Sequence, residues 1–199
     1  MVKPTPPPPP PKPYDAQIEY LESTGKQFID TGIYPDFYTK IDCVISGLFN
    51  DKRIFGARGN GFRDRQFECI FYDTSEYGMI FRFADFDNYL FRPENYDQVF
   101  TIEMDSNGAV VNNNLIIFEQ TSYFTVPRTM LLFASHFNTG PGAFATAKMF
   151  SFRIWQNSKL VRDYIPVRIG QVGYMYDNVS GQFFGNEGTG EFVLGPDIG

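Results

Sequence analysis

The segment IEMDSNG, residues 102–108, contains the acidic side chains that most resemble a catalytic pair. Glu103 and Asp105 alternate on a predicted strand and share one face, an arrangement that suits the closely spaced carboxylates of retaining glycoside hydrolysis. A catalytic motif of this kind would carry a further glutamate shortly after Asp105. Asn107 and Gly108 stand there instead, and an amide cannot act as a general acid. We therefore predict no catalytic residue here and no enzyme. The segment is interpreted as a polar strand face that enters a hairpin.

His136 and Trp155 are each the only residue of their type in the chain. A serine or cysteine nucleophile would need His136 as its base, but His136 lies in FASHFNTGPG, at the end of an apolar run before a glycine-rich loop. With Asn138 nearby it could instead hydrogen-bond a sugar; a structural role is the alternative. Trp155 should share a strand face with Arg153, so it could stack on a pyranose; burial against a second sheet is the alternative.

A cluster of cationic residues is interrupted by Asp51 and Asp64. It favours either a solvated face or a patch for an anionic sugar or an acidic partner. The cluster consists of Lys52, Arg53, Arg58, Arg63 and Arg65. Since arginine forks suit carboxylates and loops at sandwich ends often carry binding groups, we predict a ligand-binding set from this region, the histidine loop and the tryptophan. The set is Arg58, Arg63, Arg65, His136, Asn138 and Trp155.

Charge and cysteine content exclude several classes of function. The net charge of −6 argues against binding to duplex nucleic acid, which needs cationic neutralisation of phosphates. Cys43 and Cys69 alternate in phase with apolar neighbours, which predicts inward-facing free thiols; a disulfide stays open, because it depends on a separation that the sequence does not give. No zinc motif is present. Asp85 and Asp87 have the spacing of calcium ligands, with a solvated turn as the alternative; no cofactor is predicted otherwise.

The elements that would position these residues are predicted to be strands. Phe and Tyr are abundant, turn signals recur every 8–12 residues, and no stretch has a clean helical period. DSNG at 105–108 and the Asn run at 112–114 predict two tight hairpins. The longest apolar run, MLLFA at 130–134, is too short to span a bilayer, so we expect no membrane insertion. No signal peptide is visible, which favours synthesis in a cytoplasm.

The first residues form a segment of different character. Six consecutive prolines, Pro6–Pro11, exclude helix and sheet ladders and favour an extended polyproline II segment. The expected organisation is a proline-rich anchoring tail at residues 1–16 followed by one domain at residues 17–199. The tail is either a solvated spacer or a docking segment for an aromatic-lined groove on a partner; we predict docking through Pro6, Pro7, Pro8, Pro9, Pro10 and Pro11.

Three stretches carry a resemblance to a known group of domains. They are IEYLESTGKQFIDTGI (18–33), AKMFSFRIWQNSKLVRDYIPV (147–167) and GYMYDNVSGQFFGNEGTGEFVLG (173–195). Together they resemble concanavalin A-like (laminin-G-like) jelly-roll domains of phage virion proteins and of surface proteins of gut-type bacteria. The resemblance covers residues 17–196. It implies an all-β fold of two antiparallel sheets packed as a jelly-roll sandwich, preceded here by the extended tail.

The residues of these motifs are interpreted as architectural. Gly25 and Gly32 supply turn conformations that a Cβ would strain, and Asp30 and Thr31 can bond back to local amides. Pro166 within LVRDYIPV predicts an edge strand or a bulge. The motifs do not specify a ligand, because members of the group mostly serve as display or attachment modules.

The function predicted from these features is that of a non-catalytic structural or display protein of a bacteriophage virion, as a capsid decoration, head fibre or tail-associated protein. The tail would bind other virion structural proteins, and the jelly roll could attach to host surface glycans. Self-association is expected, with a trimer as the preferred oligomer. The protein would be made in the bacterial cytoplasm and reside in the virion. The alternative is a carbohydrate-binding, lectin-like module at the bacterial cell surface; a more distant one is a glycoside hydrolase.

Overall fold

The computed structural model describes residues 12–47, 52–61, 64–72, 78–84, 89–95, 98–119 and 122–198. These residues form strands, turns and loops, and no helix is found among them. The strands, in chain order, are β1 (Ala16–Gln17), β2 (Leu21–Thr24), β3 (Ile29–Asp30), β4 (Thr39–Ser46), β5 (Lys52–Arg58), β6 (Gln66–Phe71), β7 (Met79–Ala84), β8 (Tyr89–Phe91), β9 (Phe100–Asp105), β10 (Gly108–Val111), β11 (Asn114–Ile117), β12 (Leu131–Leu132), β13 (Ser135–Phe137), β14 (Gly140–Gly142), β15 (Thr146–Gln156), β16 (Lys159–Ile169), β17 (Val172–Asp177), β18 (Gln182–Phe184) and β19 (Val193–Leu194).

The strands form two sheets that pack as a sandwich. The large sheet has the order β11-β10-β9-β4-β15-β16-β17-β18; β1 pairs with β16, β2 pairs with β15, and β19 pairs with β2. The small sheet has the order β14-β13-β5-β6-β7-β8, and β12 joins β3 to β5. Strand pairing is antiparallel apart from β13 against β5, where His136 lies opposite Ala57 in parallel register. The predicted two-sheet, all-β architecture is therefore confirmed.

The core lies between the sheets, where apolar side chains of both sheets are buried. In β4, Ile41, Cys43 and Ile45 are fully buried, whereas the intervening residues are partly exposed. Rings from the two sheets meet across the core: Phe55 of β5 lies 5.4 Å from Phe152 of β15. Cys43 and Cys69 are both buried and free, as predicted. Burial is the largest cause that raises the pKa of each thiol above its usual value.

Both predicted tight hairpins are present. Asp105 pairs with Gly108 at the β9–β10 turn. Val111 pairs with Asn114 at the β10–β11 turn, where Asn112 and Asn113 both have positive φ. This conformation belongs to the two-residue turns that match the twist of antiparallel strands, and asparagine tolerates it better than most residues.

The prediction for Pro166 needs correction, since β16 is an interior strand that pairs with β15, β17 and β1. Pro166 falls between Tyr164, the last residue paired with β15 on one side, and Val167, which pairs with β1. A proline is compatible with this interior position because its missing N–H coincides with the change of neighbouring strand.

The turn motifs of the family-like stretches have the local bonds that the sequence indicated. Asp30 accepts a hydrogen bond from the Gly32 amide, and the Thr31 hydroxyl accepts one from the Ile33 amide. Gly25 and Gly32 have φ of +90° and +68°, which favours glycine.

The closing motif is organised by Asp177, which is fully buried. Its carboxylate accepts hydrogen bonds from the backbone amides of Asp163, Val179 and Ser180 and from the Ser180 hydroxyl. The Arg162 guanidinium lies 3.7 Å away. One carboxylate thus holds the turn after β17 against β16, which makes Asp177 a structural residue.

Several predicted functional positions lie outside the described residues. These are Pro6–Pro11, Arg63, Asp85 and Asp87. At the beginning of the described chain, the Tyr14 ring lies 5.4 Å from the Tyr176 ring, and Asp15 accepts a hydrogen bond from the Gly170 amide. None of the described residues forms a helix long and apolar enough to cross a membrane.

Candidate functional site

An open groove of about 450 Å³ lies at one end of the large sheet, and we call it the tryptophan groove. Three structural elements meet there: the start of β4, the turn between β9 and β10, and the hairpin between β15 and β16. The groove is lined by Phe37, Tyr38, Thr39, Lys40, Asp105, Ser106, Trp155, Asn157 and Ser158. Aromatic rings and short polar side chains therefore share one surface, a composition common in ligand sites.

Trp155 is placed by the pairing of β15 with β4. It lies opposite Lys40 in the register, and its ring has two cationic neighbours: the Lys40 ammonium and the Arg153 guanidinium, each 5.6 Å from the ring centroid. Trp155 is partly exposed, so its indole lies on the outer face of the large sheet. Trp155 shares its strand face with Arg153, as predicted, but the expected alternative of burial against the second sheet is wrong, because Trp155 is partly exposed.

The cations beside Trp155 have acidic partners. The Lys40 ammonium lies 2.9 Å from the Glu103 carboxylate, and the Arg153 guanidinium lies 2.6 Å from the Asp42 carboxylate. Each ion pair fixes a side chain next to the indole and balances its charge. The surface around Trp155 consequently carries hydrogen-bonding groups without a local excess of either sign from these four residues.

Two tight turns supply the polar rim of the groove. In the β15–β16 hairpin, Asn157 and Ser158 have φ of +49° and +64°, and both are exposed. In the β9–β10 hairpin, the Asp105 carboxylate accepts a hydrogen bond from the Asn107 amide at 2.7 Å. These bonds and dihedral angles define the turns, so the rim groups are held by the backbone of the sheet.

Tyr38 is presented by a capped turn just before β4. The Asp36 carboxylate accepts hydrogen bonds from the Tyr38 backbone amide and from the Thr39 hydroxyl. The Thr39 hydroxyl in turn accepts a hydrogen bond from the Asp36 backbone amide. The ring of Phe37 is partly buried and lies 6.1 Å from Phe83 and 5.4 Å from the ring of Tyr38. Tyr38 packs edge-on against Phe37 and stays 54% exposed.

A second exposed tyrosine extends the aromatic surface beyond the groove. Tyr123 is 62% exposed, and its ring lies 5.8 Å from that of Tyr38 at an interplanar angle of 51°. The segment after it is tied to the Tyr38 turn, because the Phe37 amide donates to the Phe124 carbonyl and Asp36 bridges to Thr125. We call Trp155, Tyr38 and Tyr123 the aromatic strip.

The structure brings part of the predicted arginine site together, away from Trp155. Arg58 and Asn138 line a smaller cavity of about 240 Å³ on the small sheet, with the Phe137 ring 5.2 Å from the Arg58 guanidinium. Arg58 is only 8% exposed, however, so the interpretation as a fully solvated face is wrong for this residue. Arg65 is exposed in the β5–β6 hairpin, where its backbone carbonyl accepts a hydrogen bond from the Gly59 amide.

Arg58 is buried because it belongs to an ionic cluster. The fully buried Glu68 carboxylate lies 3.7 Å from Arg58 and 3.5 Å from Arg82, and it accepts a hydrogen bond from the Ser135 hydroxyl. Burial lowers the pKa of Arg82, which Glu68 opposes. Glu68 alternates with Phe67 and Cys69 along β6, yet it is fully buried, so both faces of the small sheet are covered at this position.

His136 lies in neither cavity. Its Nδ1 is 3.2 Å from the Thr129 hydroxyl, which donates to the Asp30 carboxylate at 2.7 Å. Glu187 is nearby, and its pKa is raised by burial and by Asp30, while His136 opposes the shift. This network connects the opening turn motif to the closing loop, so His136 has a structural neighbourhood.

The acidic pair considered for catalysis is used otherwise. Glu103 forms its ion pair with Lys40, and Asp105 caps the β9–β10 turn. Among the residues that the structure describes, no three His, Cys, Asp or Glu side chains are grouped so that they could hold a metal ion.

Sequence reasoning found Trp155 but missed the tyrosines beside it. The stretch DFYT contains two adjacent aromatics between Asp and Thr, residues that favour an exposed turn before a strand. That pattern could have indicated that one of Phe37 and Tyr38 is exposed. Nothing in the sequence brings Tyr123 close to Tyr38, because 85 positions separate them in the chain.

Comparison with known proteins gives one informative similarity. No family model matches the chain, and no curated protein matches it. A solved structure that does match is described as a "putative carbohydrate binding protein" from Bacteroides ovatus ATCC 8483, with a TM-score of 0.55 and 14% sequence identity. The match covers 89% of this chain, which spans 60% of the length of that protein. At this identity the similarity establishes the fold, a sandwich of two β-sheets.

Proposed function

We propose that this protein is a non-catalytic carbohydrate-binding protein with a concanavalin A-like jelly-roll domain, and that it binds glycan in the tryptophan groove. The observation that carries the proposal is that the partly exposed indole of Trp155 and the exposed ring of Tyr38 line one polar-rimmed groove. Pyranose rings present C–H faces that stack on such rings and hydroxyls that bond to polar groups. The similar solved structure from Bacteroides ovatus, which is described as a carbohydrate-binding protein, supports this choice.

The absence of catalysis is proposed from the chemistry of the groove. Retaining and inverting glycosidases both need two carboxyl groups that flank the scissile bond. The groove lining contains one carboxylate, Asp105, and that side chain accepts a hydrogen bond from its own turn. Glu103 is held by Lys40. This arrangement supports binding without hydrolysis.

The proposed setting of the domain rests on the sequence. The proline run Pro6–Pro11 favours anchoring of the domain to a partner protein, and the resemblance of residues 17–196 favours display on a bacteriophage virion, with host glycans as ligand. Attachment at a bacterial cell surface is the second setting. A protein inventory of purified phage particles distinguishes the two, since absence of the chain from particles would exclude the virion.

A glycan array tests the binding function. We expect the intact chain to bind a neutral glycan, the Trp155→Ala variant to lose at least tenfold in affinity, and Tyr174→Ala to bind normally. Tyr174 is the matched control because it is a partly exposed tyrosine of the same sheet, in edge-on contact with Phe183. An array without signal, or binding that Trp155→Ala leaves unchanged, contradicts the proposal.

A further inference from the structure

The aromatic surface at the tryptophan groove is longer than one sugar ring requires. Trp155 and Tyr38 both line the groove, and the Tyr123 ring lies 5.8 Å from the Tyr38 ring. Isolated exposed aromatics are normal on protein surfaces, but several grouped at one groove indicate an interaction site. We infer that the aromatic strip binds at least two consecutive sugar units of a neutral polysaccharide chain, a conclusion that rests on the proposed function.

The strip is held in place before any ligand arrives. Phe37 and Phe124, the neighbours of Tyr38 and Tyr123 in the chain, both contact the buried Phe83, at 6.1 Å and 4.8 Å. Each exposed tyrosine is thus the chain neighbour of a phenylalanine that packs against the core. A rigid row of rings loses little conformational entropy when a ligand binds, which favours its use as a preformed surface.

The geometry of the rings selects the physical form of the glycan. The planes of Tyr38 and Tyr123 differ by 51°, so the strip is twisted and cannot lie flat against a crystalline polymer surface. A single soluble chain can turn between successive units and present one face to each ring. The ligand inferred is therefore a free chain.

Charge and stereochemistry narrow the ligand further. The cations beside Trp155 are paired with Glu103 and Asp42, so neither provides an uncompensated charge for an acidic sugar. Stacking needs one pyranose face that presents C–H groups, and equatorial linkages keep such faces in line along the chain. A neutral, equatorially linked hexose chain meets both conditions. Trp155, Tyr38 and Tyr123 would then contact successive units, so a disaccharide bound at Trp155 and Tyr38 would not reach Tyr123.

Isothermal titration with gluco-oligosaccharides of one to six units tests the inference. Both β-1,4- and β-1,3-linked series serve as probes, because both are neutral and equatorially linked. We expect affinity to rise at least tenfold from the monosaccharide to the tetrasaccharide in one series. Tyr123→Ala should weaken tetrasaccharide binding about fivefold and leave disaccharide binding unchanged, whereas Trp155→Ala should weaken both. Tyr174→Ala should change neither.

The outcomes separate this inference from the proposed function. Affinity that is equal for one and four units, or a tetrasaccharide affinity that Tyr123→Ala does not change, overturns the extended strip. A Trp155-dependent signal on the glycan array would still support the function in that case. Binding of neither oligosaccharide series also overturns the inferred ligand class. Tight binding to insoluble crystalline polymer, without binding to soluble chains, contradicts the argument from ring geometry.

Discussion

Replacement of Asp177 by alanine tests whether the closing motif is architectural. The fully buried carboxylate accepts bonds from the Asp163 amide at 2.8 Å, the Val179 amide at 3.1 Å, and the Ser180 amide and hydroxyl at 3.2 and 2.6 Å. Hydrogen bonds to a charged group contribute about 1.5–3 kcal/mol each. Val179 and Ser180 are exposed, so water can replace much of their share after the substitution. Most of the lost stability then comes from the hydrogen bond with the Asp163 amide and from the ion pair with the partly buried Arg162.

From these terms we expect Asp177→Ala to lower the free energy of unfolding by about 3–4 kcal/mol. For a chain of this size the melting temperature should fall by about 10 °C. Asp177→Asn, which keeps the shape and one acceptor oxygen, should cost about 2 kcal/mol. Urea unfolding followed by circular dichroism measures each value.

Asn178→Ala is the matched control for Asp177. Its amide donates to Asp163 in an exposed position, so its removal should change stability by less than about 0.5 kcal/mol. A cost below about 1 kcal/mol for Asp177→Ala would refute the structural role assigned to this carboxylate.

Three further predictions concern the rest of the molecule. Cys43 and Cys69 should not react with a thiol reagent at pH 8 in the folded protein, because burial raises the pKa of each thiol and keeps it protonated. Both thiols should react in urea, and rapid labelling of the folded protein would contradict their burial. Glu68→Ala should cost about 3 kcal/mol in urea unfolding, because it removes the carboxylate between Arg58 and Arg82; a neutral effect would show that the cluster is not held by this charge. Deletion of residues 1–11 should leave the melting temperature unchanged, because Tyr14 and its contact with Tyr176 remain, but should prevent incorporation into an assembly; normal incorporation would make the tail a spacer.

Much of the fold could be predicted from local patterns. Alternation in β4 and the turn sequences at 105–108 and 112–114 located a strand and two hairpins, because side-chain period and turn chemistry are local properties. The edge strand predicted at Pro166 is wrong, because β15 and then β1 pair with the same side of β16, and the position of β1 depends on how the chain start folds back. Local sequence does not contain that information.

The candidate site could be predicted only in part. Trp155 was recognised from its type and its place in an alternating strand. Its neighbours Tyr38 and Tyr123 come from distant parts of the chain and meet only through tertiary contacts. Arg58 was expected at a binding surface, but its burial depends on Glu68, which approaches through the pairing of β5 with β6. Charge patterns alone could not reveal that partner.

Fluorescence of the protein tests the central claim most directly, because Trp155 is the only tryptophan and lies in the proposed site. A glycan identified on the array, or a β-linked gluco-oligosaccharide, is titrated into the intact chain while emission and acrylamide quenching are recorded. The account predicts a saturable change in emission and protection of the indole from acrylamide, both with the dissociation constant obtained by calorimetry. Calorimetric binding of the glycan with no change in Trp155 emission or quenching would contradict it.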